Sequence, residues 1–308
     1  MAPTTATAFV TSATGTQGQA VARQLLRIGW AVHATARNMD APIVRELQGL
    51  GVEFAAGDWS NETALTTAIT GCSHLFLNLI PSMAATFSSE VPHAKRILAI
   101  AKASGVKHII YSSGMSVSNP EEREFYDPNS LVAKALGWKK EIEGLVRTAG
   151  FETWTILRGG FFMANFLQPK VRMYPGLVET STWTTAMQPQ TRIPIVDTDD
   201  IGKFAVVAFC DPARFHKKEV PIAGEVLTPD ELMQQLGEAN GRDMRNVFLT
   251  DEEIEAQRAT NIFVAGQLMS RDLDKCVDLE ETRSWGIPLG TFKEFLKRES
   301  KAVKETYP

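Results

Sequence analysis

Short apolar segments alternate with amphipathic segments along the first half of the chain, with glycine or polar residues between them. A continuous apolar segment is typical of a strand covered on both faces, whereas apolar residues three and four positions apart indicate a helix. This pattern predicts strands at 8–10, 31–36, 52–56, 74–78, 107–111 and 151–157, with helices between them and a long helix at 131–149. Repeated strand–helix units predict a parallel sheet with helices on both faces.

The regular alternation fades after residue 158. An apolar run at 161–167 precedes an irregular segment, a predicted strand at 191–196 and a predicted helix at 199–209. Thr228 and Thr250 each precede a glutamate by three residues, which is the capping-box signal for a helix start. We therefore expect one domain at 1–158, with 190–212 returning to it, and a smaller C-terminal lobe at 159–308.

The turn after the first predicted strand carries the strongest chemical signal, Ser12-Ala13-Thr14-Gly15-Thr16-Gln17-Gly18. Glycine lets the backbone approach a pyrophosphate, and the N-terminus of the following helix offers free N–H groups and a positive dipole end. We predict a dinucleotide site formed by Ser12, Thr14, Gly15, Thr16, Gln17 and Gly18. Ser12 replaces the first glycine of the usual motif, and a positive φ there would cost about 1–2 kcal/mol.

The end of the second strand indicates which dinucleotide binds. Arg37, followed by Asn38, stands there about 20 residues after Gly18, and no acid precedes it in that strand. An acid at this place binds the 2′-hydroxyl of NAD, whereas an arginine suits the 2′-phosphate of NADP. The favoured cofactor is therefore NADP(H). Because ligands bind beyond the carboxyl ends of parallel strands, the other strand ends are candidate cofactor contacts: Asp58, Trp59, Asn78, Leu79, Ile80 and Ser112.

Composition excludes several other classes of function. The formal net charge of −4 provides no basic footprint for nucleic acid. Three scattered cysteines fit a reducing compartment, and the five histidines show no metal-ligand spacing. The chain shows no signal peptide and no apolar run of about 20 residues that could span a membrane. We expect a cytoplasmic protein that binds a small molecule and uses no metal.

Lys134 is the most informative charged residue of the long helix. It lies in a stripe of residues three or four positions apart, Leu131, Lys134, Trp138, Ile142, Leu145 and Ala149. A lysine in this apolar stripe would be costly to bury without a partner, which is consistent with a functional role. It is equally consistent with a lysine at the core edge whose stem covers apolar surface. Ser113, Tyr126 and Tyr174 are auxiliary candidates for catalysis, although such residues more often serve as caps.

The glycine-rich run together with Arg37-Asn38 resembles the NmrA-like family of atypical short-chain dehydrogenases, over nearly the whole chain. The resemblance implies an α/β fold, a Rossmann-type doubly wound parallel sheet with a second, smaller α/β substrate lobe. It also implies that Lys134 contacts the nicotinamide ribose and takes part in proton transfer. The usual tyrosine four residues earlier is Ser130 here. The Phe161–Asn165 segment resembles the family's segment near the nicotinamide, which assigns Phe162 and Asn165 to cofactor binding, and Trp183 and Met187 could line an apolar pocket.

Two functions remain open at this stage. The first is an NADP(H)-dependent oxidoreductase that acts on a small, largely apolar or aromatic carbonyl or conjugated substrate, with Lys134 assisting proton transfer. The second is an NADP(H)-binding redox sensor that reports to a protein partner with little or no turnover. A homodimer is compatible with both. The missing tyrosine and Ser12 favour the sensor, whereas Lys134 in its stripe favours the enzyme, which we prefer.

Overall fold

The computed structural model describes residues 6–80 and 88–308. Contacts between Cα atoms group the chain into two compact units. The first unit comprises Met1–Ser113, Trp138–Arg158 and Ile201–Val220, and the second comprises Gly114–Gly137, Gly159–Asp200 and Pro221–Pro308. These units differ in detail from the expected domains, whose boundary at residue 158 stays a prediction.

The secondary structure alternates strands and helices through the first 160 residues. The strands are β1 Thr7–Val10, β2 Ala31–Ala36, β3 Val52–Ala56, β4 His74–Leu77, β5 His108–Gly114, β6 Thr153–Gly159, β7 Phe161–Phe162, β8 Thr182–Thr185, β9 Ile193–Val196, β10 Lys218–Ile222, β11 Glu225–Leu227 and β12 Arg245–Phe248. The α-helices are α1 Thr16–Arg27, α2 Pro42–Gly49, α3 Glu62–Ile69, α4 Val91–Ala103, α5 Leu131–Thr148, α6 Leu177–Thr180, α7 Thr198–Cys210, α8 Pro212–Phe215, α9 Pro229–Asn240, α10 Asp251–Gln257, α11 Ile262–Met269, α12 Leu279–Ser284, α13 Phe292–Arg298 and α14 Ser300–Thr306. Short 3-10 helices lie at Met115–Val117, Pro120–Glu122, Met163–Phe166, Lys170–Met173 and Leu273–Cys276.

A seven-stranded sheet in the order β10-β6-β5-β4-β1-β2-β3 forms the centre of the first unit. Strand β1 pairs in parallel with β2 on one side and with β4 on the other, and the β2–β3 and β4–β5 pairs are parallel too. The chain thus changes direction across the sheet between β1 and β4, which opens a crevice beyond their carboxyl ends. The predicted α/β class with a doubly wound parallel sheet is confirmed.

Burial explains why the strand pattern was visible in the sequence. All four residues of β4 are buried, as expected for a central strand with helices on both faces. The fifth strand, predicted over the apolar run 107–111 with its end in Ser112-Ser113-Gly114, is β5, which continues through both serines to Gly114. Both serines are buried although they are polar.

The second unit contains two small sheets. Strand β9 pairs antiparallel with β11 and parallel with β7, while β12 pairs in parallel with β8. The strand predicted at 191–196 is therefore part of the three-stranded sheet β11-β9-β7, and within 190–212 the residues from Ile201 onward group with the first unit. The capping boxes predicted at Thr228 and Thr250 are both present.

Aromatic residues fill the core of the second unit. The Phe166 ring lies 5.4 Å from that of Trp183 and 5.7 Å from that of Tyr174. Trp183 and Met187, which could have lined a pocket, are fully buried in this packed cluster, so they present no surface to a ligand there. Throughout the described parts of the chain, no helix has both the length and the apolar character needed to cross a membrane.

Candidate cofactor and active site

The turn between β1 and α1 has the tight geometry that the glycine pattern predicts. Ser12 adopts a positive φ of 50°, and its carbonyl accepts a 2.8 Å hydrogen bond from the Gly15 N–H. A Cβ atom on Gly18 would lie only 2.1 Å from that same carbonyl oxygen. Glycine is therefore required at 18 by close approach of the backbone, whereas Ser12 carries the strain that the motif usually avoids with glycine.

Hydrogen bonds to neighbouring strands hold this turn in place. The Ser12 hydroxyl donates to the Asn78 carbonyl at 2.9 Å, and the Thr11 hydroxyl donates to the same oxygen at 3.0 Å. On the other side, the Ser112 hydroxyl donates to the Gln17 side-chain oxygen at 2.6 Å. The predicted residues at the ends of β4 and β5 are thus structural supports of the turn, which is how an unfavourable φ at Ser12 is maintained.

The N-terminus of α1 is suited to an anion. Gly15 is its N-cap, no side chain caps the first turn, and that turn contains no acidic residue. The first turn of a helix presents N–H groups that lack an intrahelical partner, together with the positive end of the helix dipole. With Thr16 and Gln17 in this turn, the arrangement fits a pyrophosphate.

A cavity of about 680 Å³ opens at this edge of the sheet in the first unit. Eight of the predicted cofactor residues line it: Ser12, Thr14, Gly15, Arg37, Asn38, Asp58, Trp59 and Ile80. Two side chains that the sequence did not single out, Glu90 and His93, line it as well. The His93 and Trp59 rings meet edge-on with centroids 5.9 Å apart. The structure thus brings the ends of β1, β2, β3 and β4 to one cavity.

Charge is distributed unevenly among the polar residues of the cavity. The Arg37 side chain is exposed and has no hydrogen bond or ion pair with any described residue, so it is available to a ligand. Asp58 accepts hydrogen bonds from the Ser60 hydroxyl at 2.5 Å and the Ser60 N–H at 2.9 Å. These bonds lower the Asp58 pKa and hold its carboxylate in a local turn. Asn38 likewise accepts from the Asp40 N–H at 2.9 Å.

Lys134 is the exposed member of the predicted stripe. The buried positions of α5 are Ala133, Leu136, Ile142, Glu143 and Val146. The apolar part of the stripe packs as expected, since Ile142 lies in the core of the first unit and Trp138, Leu145 and Ala149 pack against it. The part that Lys134 plays in catalysis or cofactor binding stays a prediction.

Lys139, five residues further along α5, is half-buried, with 20% of its side chain exposed. Its ammonium donates to the Leu79 carbonyl at 3.2 Å and lies 3.5 Å from a Glu90 carboxylate oxygen. Burial lowers the pKa of Lys139, and Glu90 partly opposes that shift. The contact with Leu79 places the ammonium at the carboxyl end of β4. A sequence signal existed, since Ile142, Glu143 and Val146 lie three, four and seven positions after Lys139, on the same helix face.

Glu143 belongs to an ion network that pins α5 to β6. Arg158 pairs with both oxygens of Glu143, at 3.0 and 2.7 Å, and with Glu219 at 2.7 Å. Burial disfavours ionisation of Glu143, but hydrogen bonds from Arg158 outweigh it and hold the Glu143 pKa below its usual value. Arg158 also stands at the end of β6, and this pairing explains its position without a ligand.

The remaining predicted residues lie as follows. Ser113 is buried within β5. In the second unit, Tyr126 is half-buried and packs against the cluster of Val117, Leu136 and Met269. Also in that unit, the Lys170 ammonium lies 5.2 Å from the ring centroid of Phe162, and Asn165 is half-buried. The functional roles assigned to these residues stay predictions.

The family of the chain follows from its sequence. The model of the NmrA-like family matches residues 4–296. The chain belongs to the NmrA-like family. Its relatives include an NmrA-like family domain-containing oxidoreductase of Aspergillus hancockii, which is 28% identical over 259 residues, covering 80% of this chain and 76% of that protein. An NAD(P)H azoreductase of Xenophilus azovorans is 29% identical over 248 residues, covering 80% of this chain and 78% of the azoreductase.

Solved structures share the NmrA-like fold over nearly the entire chain. NmrA, a negative transcriptional regulator solved in complex with NADP, matches with a TM-score of 0.75 and 21% identity, covering 99% of this chain and 96% of NmrA. The NADPH complex of an NADPH-dependent quinone oxidoreductase from Escherichia coli matches with a TM-score of 0.72 and 22% identity, covering 95% and 99% of the two chains. At these identities, the likeness establishes the fold.

Proposed function

We propose that this protein is an NADP(H)-dependent reductase of small, largely apolar or aromatic carbonyl or conjugated acceptors. The observation that carries the proposal is the single cavity where the glycine turn, Arg37 and the end of β4 meet. Support comes from relatives named as oxidoreductases and as an azoreductase, and from structural neighbours that hold NADP or NADPH.

The residues of the first unit fit the cofactor. The uncapped first turn of α1 suits the pyrophosphate, and Gly18 lets the backbone of the turn pack against this helix, where a Cβ would lie 2.1 Å from the Ser12 carbonyl oxygen. The guanidinium of Arg37, which has no partner among residues 6–80 and 88–308, suits a 2′-phosphate, which it can meet through charge-assisted hydrogen bonds. The nicotinamide supplies a hydride to the acceptor when the reduced cofactor is bound.

Lys139 is the residue that we propose to manage the proton. The Lys139 ammonium lies at the carboxyl edge of β4. Burial lowers its pKa towards the range in which an ammonium can donate a proton to a substrate. The Leu79 carbonyl and Glu90 orient the group. None of the three lysines of α5 has a tyrosine four residues before it, since those positions are Ser130, Ala135 and Leu136. The acid is therefore the lysine itself.

Anaerobic turnover assays test this proposal. Purified protein is mixed with NADPH or NADH and a panel of ketones, quinones, enones and azo compounds, and loss of nicotinamide absorbance is followed. We expect consumption of at least one conjugated or aromatic acceptor, faster with NADPH than with NADH. Tight NADPH binding by calorimetry without consumption of any acceptor would contradict the enzyme, and absence of binding would contradict the cofactor site.

A sensor of the cofactor pool is the second candidate. It is favoured by the absence of a tyrosine four residues before any lysine of α5 and by the strained turn at Ser12. Such a protein would bind NADP(H) without turnover and report it to a protein partner. The two candidates differ in one result, since only the enzyme oxidises NADPH when an acceptor is added.

A further inference from the structure

Glu90 is a fully buried carboxylate in an unusual position. It is the N-cap residue of α4, yet its side chain caps no backbone N–H, and the Ser89 hydroxyl accepts the bond from the Val91 N–H instead, at 3.1 Å. Both carboxylate oxygens of Glu90 are buried and have no hydrogen bond that meets geometric criteria within the described residues. A buried charge without such bonds is costly unless an opposite charge stands close to it.

Lys139 provides that charge, at 3.5 Å from the Glu90 oxygen. The other titratable groups close to this pair are Tyr111 on β5 and Glu143 on α5, and neither of them is a cation. His93 on α4 lines the same cavity as Glu90. Burial raises the pKa of Tyr111, and the negative charge of Glu90 raises it further. Glu143 is itself held by Arg158, so Glu90 is the carboxylate left to balance Lys139.

The Glu90–Lys139 ion pair is expected to contribute little to the stability of the fold. Replacing a buried ion pair by apolar groups of similar size is often neutral or stabilising. Here Glu90 also lines the cofactor cavity, and the lysine that it faces is anchored by a carbonyl at the end of β4. The location next to a candidate active site favours a role in the chemistry of Lys139.

We propose that Glu90 is a positioning residue that keeps the Lys139 ammonium protonated and directed towards the carboxyl edge of β4. As a statement about charge, this holds whether or not the protein turns over a substrate. As a statement about catalysis, it rests on the proposed reductase function.

Competitive acylation of lysines tests the charge statement without any turnover. Wild type, Glu90→Gln and Glu90→Asp are labelled with trace acetic anhydride at a series of pH values, and the acetylation of each lysine is measured by mass spectrometry. We expect Glu90→Gln to lower the titration midpoint of Lys139 by about 1–3 pH units, because an opposite charge at this distance favours the charged form by that much. Glu90→Asp should restore much of the shift, and the exposed Lys134 serves as the internal control.

An unchanged Lys139 midpoint in Glu90→Gln would overturn the proposal. If that variant does not fold, the wild type alone still decides, since a Lys139 that titrates below pH 7 is not held protonated by Glu90. For catalysis, the basic limb of the kcat–pH profile should move to lower pH in Glu90→Gln and return in Glu90→Asp. If the basic limb of the kcat–pH profile stays in place while the acylation midpoint of Lys139 moves, the proposed acid role of Lys139 is contradicted. The pairing of Glu90 with Lys139 would still stand.

Discussion

Replacing Ser12 by glycine and by alanine separates the strain in the glycine-rich turn from its hydrogen bond. Ser12 has a φ of 50° and donates to the Asn78 carbonyl at 2.9 Å. Both variants lose this hydrogen bond, but only glycine removes the clash between Cβ and the backbone. Alanine is therefore the matched control for glycine.

The expected free energies follow from these two terms. Loss of the hydrogen bond costs about 1 kcal/mol in either variant. In Ser12→Gly, relief of the left-handed strain raises the free energy of unfolding by about 1–2 kcal/mol. The greater conformational freedom of glycine in the unfolded chain lowers it again by about 0.5–1 kcal/mol. Ser12→Gly should therefore be close to wild type, whereas Ser12→Ala should be about 1 kcal/mol less stable than wild type.

Urea unfolding followed by circular dichroism measures the difference. We expect the glycine variant to be more stable than the alanine variant by about 0.5–1 kcal/mol at equal m-value. If alanine equals or exceeds glycine, the turn carries no strain at position 12, and the physical account of this departure from the motif is wrong.

Two further predictions concern the cofactor and pH. Arg37→Ala should weaken NADPH binding by roughly 10-fold, the lower end for an exposed charge-assisted contact, and leave NADH binding unchanged in calorimetry. The control is Arg45→Ala, because the Arg45 guanidinium pairs with Asp40. An unchanged ratio of NADPH affinity to NADH affinity in Arg37→Ala would refute the binding of the 2′-phosphate by Arg37. Burial beside His108 lowers the pKa of His74 to about 3 in the folded protein. His74 of the unfolded chain therefore binds a proton as the pH falls through about 6.5, whereas His74 of the folded chain stays neutral. Stability should fall by about 2 kcal/mol between pH 7 and pH 5, and His74→Phe should lose most of this dependence; an equal loss in both proteins would rule out His74 as its cause.

The first β-turn-α unit could be predicted from the sequence because its signals are local. An apolar strand, a glycine turn and a periodic helix follow one another within 30 residues, and each obeys short-range rules. The same holds for the capping boxes at Thr228 and Thr250, where the helix start depends on residues three positions apart. Strand ends then converge on one cavity as a consequence of parallel topology.

The charged residues of α5 could not be predicted in the same way. Which charged residues of α5 turn towards the core depends on partners distant in the chain. Lys139 pairs with Glu90, and Glu143 pairs with Arg158. Hydropathy assigns every lysine to the surface, so a buried face that contains paired charges resembles an exposed one. Similarly, Glu90 and His93 were not singled out, because only the packing of α4 brings them to the cavity.

The central claim is that Lys139 supplies the proton in an NADPH-dependent reduction, and a paired arginine substitution tests it most directly. Lys139→Arg keeps a positive charge opposite Glu90, but a guanidinium holds its proton too tightly to act as an acid. Single-turnover oxidation of NADPH with the best acceptor should slow by about 10²–10⁴-fold in Lys139→Arg, with NADPH affinity and thermal stability retained. Lys140→Arg, at the exposed neighbouring position of the same helix, should match wild type. A Lys139→Arg variant that reacts as fast as wild type, or a Lys140→Arg variant that slows equally, would contradict the assignment.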